Sequence, residues 1–196
     1  MRVFLTDLHL SSDTAAKLIA SLPKEQAHRA GDLAAATGFL LVRYAIRQLC
    51  PDVNTAQWIC DKNGKPRLAE GLPFFNLSHS RHGVAVAVST ETEVGIDIEE
   101  IRPHPKGFAK RYYSPKEQAC IEAAADPTSE LIRIWTAKEA AAKCLGTGID
   151  ANFKNIPTNG VQNTPVAFGG IPHWLAVSPT NAPILIEWVS AEQLFV

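Results

Sequence analysis

The sequence predicts an α+β fold, and three observations support this class. Apolar residues recur at helical spacing before residue 50 and again over residues 129–145. Between and after these segments lie short β-branched runs separated by polar turns, which are typical of strands in hairpins. The same order of run, turn and run occurs near residue 90 and again near residue 180. A duplicated α+β unit explains this echo, and so does chance similarity between two hairpins.

The first half contains signals for two helices and several strands. Ser12 is expected to cap the first helix, and Pro51 to end the second. Residues 62–66 have the composition of a turn. The predicted elements are a strand over 2–8, helices over 12–22 and 23–49, a short strand over 58–61 and a hairpin of strands 84–89 and 94–99.

The second half begins with a strong helix signal. Ser114 precedes Pro115, and Glu117 follows three residues after the serine, which indicates a capped helix extending to about residue 125. A further helix is predicted over 129–145, ending at Gly146. Residues 150–172 are rich in Asn, Gly and Pro and are predicted to be loop with short extended pieces. Segments 176–178 and 184–187 are predicted to form a final hairpin.

Composition and charge limit the functional classes. The chain has 196 residues, 46% apolar and 20% charged, with a net charge of -1. This is typical of a globular protein with one domain or two small ones, and it provides no global field for nucleic acid or membranes. Four cysteines in apolar contexts are expected to be buried free thiols, which suits a reducing compartment. With no signal peptide or membrane span evident, we expect a cytoplasmic protein.

Two carboxylates lie in the segment Gly95-Ile-Asp-Ile-Glu99. Side chains two residues apart on a strand point to the same face, so Asp97 and Glu99 are expected side by side. Like charges this close repel unless a cation lies between them, and a few oxygen ligands suit Mg²⁺. The alternative is an acidic, solvated edge strand.

A second group of charged residues lies on the predicted helix 129–145. Trp135, Glu139 and Lys143 are spaced by four and form one stripe. A surface ion pair explains Glu139 and Lys143 equally well. Lys138 falls within the adjoining apolar arc, where an unpaired ammonium is costly. Its head is expected to reach solvent or a phosphate.

A polar cluster follows Phe74 and Phe75. Asn76-Leu-Ser-His-Ser80 presents hydroxyls, backbone amides and an imidazole to an anion. The segment has no P-loop glycine pattern and no G-x-S-x-G elbow, which argues against those two site types. A turn with satisfied hydroxyls is the alternative.

These three motifs, in this order, resemble those of the 4′-phosphopantetheinyl transferase superfamily. Gly64-Lys-Pro66 before the first motif is also similar to that family, and so are Arg111-Tyr-Tyr-Ser114 and Glu117 between the second and third. The length resembles the surfactin-synthetase-activating (Sfp) type. That resemblance implies a pseudo-dimer of two similar α+β halves, each an antiparallel sheet packed with helices. Residues 1–100 hold the Ser-His and Asp-x-Glu motifs, and residues 101–196 hold the Trp-x-x-Lys-Glu helix.

The resemblance implies roles for the matched residues. Asp97, Glu99 and Glu139 are implied to bind Mg²⁺, or Mn²⁺ in its place, and Lys143 to contact the diphosphate of coenzyme A as well. Catalytic roles fall to Glu139, Lys143 and Asp97, with Glu139 or a water held by the metal as the base. Other implied contacts to coenzyme A are Ser78, His79 and Lys138 at phosphates, Lys65 and Pro66 near adenine, and Arg29 and Arg43 (with Lys24) as candidates for the 3′-phosphate.

The activity implied is Mg²⁺-dependent transfer of phosphopantetheine from coenzyme A to a serine of an apo acyl or peptidyl carrier protein, by a monomer. An acidic helix of the carrier is expected to dock on the basic segment around Lys106, Lys110 and Arg111, beside Tyr112 and Tyr113. The alternative functions are a Mg²⁺-dependent hydrolase of coenzyme A or nucleotide diphosphates, and a non-catalytic relative that binds coenzyme A or the carrier.

Overall fold

Runs of mostly antiparallel strands and runs of helices follow one another along the chain, which confirms the α+β class. The computed structural model describes residues 1–55, 58–150, 152–180 and 184–195. The strands are β1 (Arg2–Asp7), β2 (Trp58–Cys60), β3 (Pro66–Leu68), β4 (Phe74–His79), β5 (Gly83–Ser89), β6 (Gly95–Glu100), β7 (Gln162–Phe168), β8 (Ile171–Ser178) and β9 (Leu185–Trp188). The α-helices are α1 (Ser12–Ala20), α2 (Leu33–Leu49), α3 (Phe108–Tyr112), α4 (Pro115–Ala123) and α5 (Pro127–Leu145), and 3₁₀ helices lie at Lys24–Arg29, Phe153–Asn155 and Ala191–Leu194.

Two larger sheets organise the fold. One has the strand order β4-β5-β1-β9, the other has the order β6-β8-β7, and β2 and β3 form a separate pair. Neighbouring strands are antiparallel except for β1 and β9, which are parallel. The predicted hairpin of 84–89 with 94–99 is therefore wrong. Both edges of β5 are already taken by β4 and β1, so β6 crosses to the other sheet and pairs with β8.

The final predicted hairpin is wrong for a related reason. β8 pairs with β6 and β7, whereas β9 pairs with β1 in the other sheet. The turn predicted between them lies partly outside the described residues. If the chain is divided at residue 100, each part places its last strand in the sheet of the other part. The division into 1–100 and 101–196 as a pseudo-dimer stays a prediction.

The helix starts differ from the sequence prediction where a nearby polar side chain caps better. Ser11, and not Ser12, caps α1 by accepting a hydrogen bond from the backbone of Thr14 (3.1 Å). The predicted helix 23–49 is interrupted, because Asp32 caps a new helix starting at Leu33.

The helices of the second half agree more closely with the prediction. α4 has the predicted capping box, in which Ser114 and Glu117 bond to each other's backbone amides. α5 starts at Pro127 because Asp126 supplies its cap, and it ends at Gly146, which has a left-handed backbone conformation. The predicted stripe of Trp135, Glu139 and Lys143 therefore lies within one regular α-helix.

The loop predicted over 150–172 is wrong in its second part. Residues 162–178 form a hairpin of β7 and β8, with Phe168 paired to Ile171. Its two-residue turn is Gly169-Gly170, and both glycines have positive φ, as the favoured hairpin turns require. Pro165 is tolerated because β7 is an edge strand.

Three apolar clusters hold the layers together. One lies between α2 and the four-stranded sheet, a second between the two larger sheets, and a third around α5. β6 and α5 approach each other closely at Gly95, where a Cβ atom would collide with the backbone of Ala140 and Cys144. The absence of a side chain at Gly95 therefore lets the acidic strand pack directly on the helix that holds Glu139.

The cysteines are free, but they are less buried than predicted. Cys50 and Cys144 are half-buried, whereas Cys60 and Cys120 are exposed because they lie on the short β2 strand and on the outer side of α4. Within the described ranges, no helix is long and apolar enough to cross a membrane.

Candidate active site

Asp97 and Glu99 on β6 face α5. Asp97 is 3% exposed and Glu99 is half-buried, so this strand is not the solvated acidic edge that the sequence also allowed. Ile96 and Ile98, which alternate with them, are buried in the apolar cluster between the two sheets. The alternation of a β-strand thus separates an apolar face from an acidic face.

The stripe on α5 meets these carboxylates. The indole Nε1 of Trp135 donates to Oε1 of Glu99 at 3.3 Å, and Nζ of Lys143 lies 2.6 Å from Oδ1 of Asp97. Glu139 lies between Trp135 and Lys143 on the same helix face, since the three are spaced by four. The structure therefore brings two acidic residues from a strand and one from a helix to one place.

The three acids interact electrostatically with one another. Burial, and then the charge of Asp97, raise the pKa of Glu139 to about 7. Burial and Asp97 likewise raise the pKa of Glu99 to about 7, with a smaller contribution from Glu139. The Trp135 hydrogen bond and Lys143 partly oppose this rise for Glu99. The cluster therefore carries more negative charge than its surroundings compensate.

The donor set fits a hard divalent cation. Oδ2 of Asp97 is buried and has no hydrogen-bond partner among the described residues, while Oδ1 is already bonded. A cation among these carboxylates would satisfy this oxygen and relieve the repulsion. In the described part of the chain, however, no three His, Cys, Asp or Glu side chains stand in a ready-made metal-binding arrangement. The role of Asp97, Glu99 and Glu139 as ligands is therefore a proposal.

Ser78 belongs to the same cluster, whereas His79 does not. The Ser78 hydroxyl donates to Oδ1 of Asp97 at 2.8 Å and accepts from Nζ of Lys143 at 3.1 Å. His79 is the last residue of β4, and its side chain is exposed. It is therefore accessible to a ligand from solvent. The segment is a strand and not the turn that the sequence also allowed.

Lys65 and Pro66 lie beside Lys143 in a cavity of about 240 Å³, whose wall also includes Asn76, Leu77 and Ala142. The ammonium of Lys65 is buried and bonds to Glu93 (2.8 Å) and to the carbonyls of Val94 and Cys144. Since these bonds use its three donors, Lys65 presents its stem to the cavity and not its charge. Through Lys143, which pairs with Asp97, this cavity adjoins the acidic cluster and offers space for a ligand.

The structure does not bring Lys138 to the acidic cluster. Its side chain is fully buried, and its ammonium bonds to both oxygens of Glu117 (3.0 and 3.1 Å) and to the carbonyl of Lys154 (2.8 Å). The expected contact of this head with a phosphate stays a prediction. The expectation that it reaches solvent is wrong, because the side chain of Lys138 is 0% exposed. The physical reason is that Glu117 supplies the negative charge that an apolar surrounding requires.

Arg29 and Arg43 both lie beside the ring of Phe39. Their guanidinium carbons are 5.6 and 5.7 Å from the centre of that ring, and Arg29 also covers Trp58. No ion pair with a carboxylate is found for either arginine in the residues described. They remain available to an anion.

Asn76 is 4% exposed, and no individual role was predicted for it from the sequence. Its Oδ1 accepts a hydrogen bond from the backbone of Ile96 at 2.9 Å. The two-residue period of a strand could have predicted this position. Asn76 is two residues from Ser78, so the two side chains must lie on the same face of the strand. The sequence also gave no sign that Glu93 would bind Lys65.

The largest of the described cavities lies elsewhere. It measures about 520 Å³ and is lined by α4, by the Glu130–Ala137 side of α5 and by residues 154–163. Glu130 and Arg133 on its wall pair with each other at 2.7 Å. Trp135, Glu139 and Lys143 are absent from its wall, so the candidate chemistry and the largest space do not coincide.

Comparison with known proteins agrees with the motifs. Residues 93–176 match the family model described as the 4′-phosphopantetheinyl transferase superfamily. The matched segment holds both the β6 carboxylates and the α5 stripe, but less than half of the chain. The resemblance noted in the sequence is therefore confirmed for this part.

Several curated proteins are similar over longer or shorter stretches. The 4′-phosphopantetheinyl transferase HetI of Nostoc sp. is 34% identical over 122 residues, which cover 58% of this chain and 51% of the relative. The AcpT enzyme of Escherichia coli K12 is 43% identical over 93 residues (45% and 48%), and a Bacillus subtilis 4′-phosphopantetheinyl transferase is 32% identical over 131 residues (64% and 55%). The matches span about half the length of these relatives.

Proposed function

We propose that this chain, a relative of the 4′-phosphopantetheinyl transferases, transfers the phosphopantetheine group of coenzyme A to a serine of an apo carrier protein. The observation that carries the proposal is the meeting of Asp97 and Glu99 from β6 with Glu139 and Lys143 from α5. A diphosphate is anionic and repels an attacking oxygen. A compact set of acids that holds a divalent cation, with a lysine beside it, suits the transfer of such a group.

Asp97, Glu99 and Glu139 are the residues that would hold Mg²⁺, or Mn²⁺ in its place. When bound, the ion supplies positive charge that offsets the charge developing on the diphosphate. The residues themselves fix where that charge lies, because a strand and a helix, and not a flexible loop, hold them. The buried Oδ2 of Asp97 is the oxygen best placed to act as a ligand.

Lys143 adds positive charge from the protein itself. Its ammonium has three donors, and two of them are directed to Asp97 and Ser78. The third has no partner among the described residues and can bond to a diphosphate oxygen, and Lys143 also lies on the wall of the 240 Å³ cavity. Glu139 is the candidate base for the serine proton, since it lies on the same stripe and has a pKa raised towards neutrality.

We place carrier docking on α3. Lys106, Lys110 and Arg111 are exposed, as docking requires. Tyr112 packs edge-on against Trp135 with ring centres 5.4 Å apart, and Trp135 contacts Glu99, so this surface adjoins the acidic cluster. Tyr113 is fully buried and bonds to the carbonyl of Leu131, so it belongs to the core and not to the surface.

Reversing two of these charges tests the docking surface. In a Lys110→Glu, Arg111→Glu variant we expect KM for the carrier to rise about 10-fold or more, because acidic carriers would be repelled during encounter. The dissociation constant of coenzyme A, measured by calorimetry, should not change. Lys17→Glu on α1 is the matched control, since Lys17 is exposed and its ion pair in the described part of the chain is with neighbouring Asp13. An unchanged carrier KM in the double variant would remove α3 from the docking surface.

The activity is tested directly by mass spectrometry. A panel of apo acyl and peptidyl carrier proteins is incubated with the protein, coenzyme A and Mg²⁺, and the mass of each carrier is measured. We expect a gain equal to one phosphopantetheine group on at least one carrier. No gain across the panel, with coenzyme A still bound, would favour the non-catalytic alternative.

The hydrolase alternative is tested in the same reaction without carrier. Release of adenosine 3′,5′-bisphosphate from coenzyme A and Mg²⁺ alone would favour hydrolysis by water. Under the transferase proposal, release should depend on the carrier. The proposed location is the cytoplasm, which suits the exposed free thiols of Cys60 and Cys120.

A further inference from the structure

The outer edge of β6 is covered by side chains and not by another strand. β6 pairs with β8 on one side only, and its other edge faces β4 of the neighbouring sheet. Oδ1 of Asn76 accepts from the amide of Ile96 at 2.9 Å, and Oγ of Ser78 lies 3.4 Å from the amide of Ile98. Two side chains two residues apart on β4 thus take the place of a backbone ladder at the strand that holds Asp97.

The Ser78 hydroxyl has no bonding capacity left for a ligand. It has one donor and two acceptor lone pairs. The donor is directed to Oδ1 of Asp97, and the lone pairs face Nζ of Lys143 and the amide of Ile98. Ser78 is also only 7% exposed. This arrangement differs from the direct phosphate contact that the motif resemblance implies.

The two bonds to Oδ1 decide which oxygen of Asp97 is open. Ser78 and Lys143 both bond to Oδ1, at 2.8 and 2.6 Å, and Oδ2 has no partner among the described residues. A carboxylate held in this way cannot rotate about its C–C bond without losing both hydrogen bonds. Its unpartnered oxygen therefore keeps one direction, as a metal ligand must.

We propose that Ser78, supported by Asn76, is a positioning residue that binds Oδ1 of Asp97 and so leaves Oδ2 as the oxygen open to a divalent cation. This inference rests on the proposed function, because it concerns the same acidic cluster. It assigns Ser78 to the metal site and not to coenzyme A. Asn76 contributes by holding the adjacent part of β6 in register.

The test separates metal binding from coenzyme A binding. Mn²⁺ is titrated into the full chain without coenzyme A, and the free ion is measured by electron paramagnetic resonance. For Ser78→Ala we expect Mn²⁺ to bind about 10- to 100-fold more weakly, as is usual when a group orienting a ligand is lost. The affinity for coenzyme A without metal should stay within about 2-fold. Ser78→Thr keeps the hydroxyl and should restore most of the Mn²⁺ affinity.

Ser89→Ala is the matched control. Ser89 is 4% exposed and lies on the adjacent strand β5, and its hydroxyl accepts from the turn amides of Glu91 and Thr92. The Ser89→Ala variant should bind Mn²⁺ with the same affinity as the wild type. Asn76→Ala should weaken Mn²⁺ binding in the same direction as Ser78→Ala, and circular dichroism checks that each variant is folded.

Three outcomes would overturn the proposal. The first is wild-type Mn²⁺ affinity in Ser78→Ala, and the second is weakened coenzyme A binding with Mn²⁺ binding unchanged, which is the result for a phosphate contact. The third is a wild-type protein that binds no Mn²⁺. The Mn²⁺ titration needs neither a carrier protein nor turnover. If every carrier in the mass-spectrometry panel stayed unmodified, the proposed transferase function would be rejected, but the role of Ser78 at the metal site would still be decided by the titration.

Discussion

Asp97→Asn and Glu139→Gln are each expected to abolish transfer to the carrier. Both changes keep the size of the side chain and replace an anionic oxygen with an amide. If three carboxylates hold the cation, losing one charge should lower kcat/KM by about 1000-fold or more, equivalent to roughly 4 kcal/mol of transition-state stabilisation. Labelling of an apo carrier with fluorescent coenzyme A, over a range of Mg²⁺ concentrations, measures the effect.

The control for this pair is Glu122→Gln. Glu122 lies on the exposed side of α4, so the same chemical change there should leave labelling intact. Thermal unfolding should show that Asp97→Asn and Glu139→Gln remain folded. We expect them to stay folded because removing one acid relieves part of the charge repulsion that raises the pKa values of Glu99 and Glu139. Full labelling in both variants would exclude the metal-site argument.

Local periodicity explains which parts of the site the sequence predicted. The side-by-side carboxylates follow from the two-residue period of a strand, and the Trp135, Glu139 and Lys143 stripe follows from the helical period. The structure joins the two through the Lys143–Asp97 pair. Short-range patterns of this kind do not depend on which strands are neighbours.

Strand pairing could not be predicted in the same way. A short turn between two apolar runs suggests a hairpin, but β5 already has neighbours on both edges. One is β4, which precedes it directly, and the other is β1, which is far away in the chain. Loop composition was also misleading over 162–172, where Pro165 lies on an edge strand and Gly169-Gly170 form the turn. In that segment the Gly169-Gly170 pair was a local signal for a hairpin turn, but the high content of Asn, Gly and Pro led to the prediction of a loop.

The buried lysine of α5 shows a different limit. The helical period placed Lys138 correctly in an apolar arc, and elementary electrostatics required a partner for it. The partner is Glu117, which the sequence identified only as the third residue of a capped helix. The Glu117 carboxylate thus has two roles. Its Oε2 accepts from the Ser114 amide and caps α4, and both of its oxygens accept from the Lys138 ammonium and neutralise that charge on α5.

Lys138→Ala is therefore expected to destabilise the fold rather than to weaken coenzyme A binding. Removing one partner of a buried ion pair usually costs about 3–5 kcal/mol, and we expect the lower value because Glu117 keeps some contact with solvent. Urea denaturation followed by circular dichroism measures the change. The variant also loses the bond to the carbonyl of Lys154, which ties residues 153–155 to α5.

Two comparisons separate structure from ligand binding at Lys138. Lys17→Ala removes an exposed lysine with a single surface partner, and it should change the free energy of unfolding by less than about 0.5 kcal/mol. Lys138→Met keeps the length of the stem and should still lose stability, since Glu117 stays without its cation. If Lys138→Ala unfolds like the wild type but binds coenzyme A more weakly, the ammonium contacts the phosphates after all. Because the side chain is fully buried between Glu117, Tyr113 and Phe153, we expect the loss of stability.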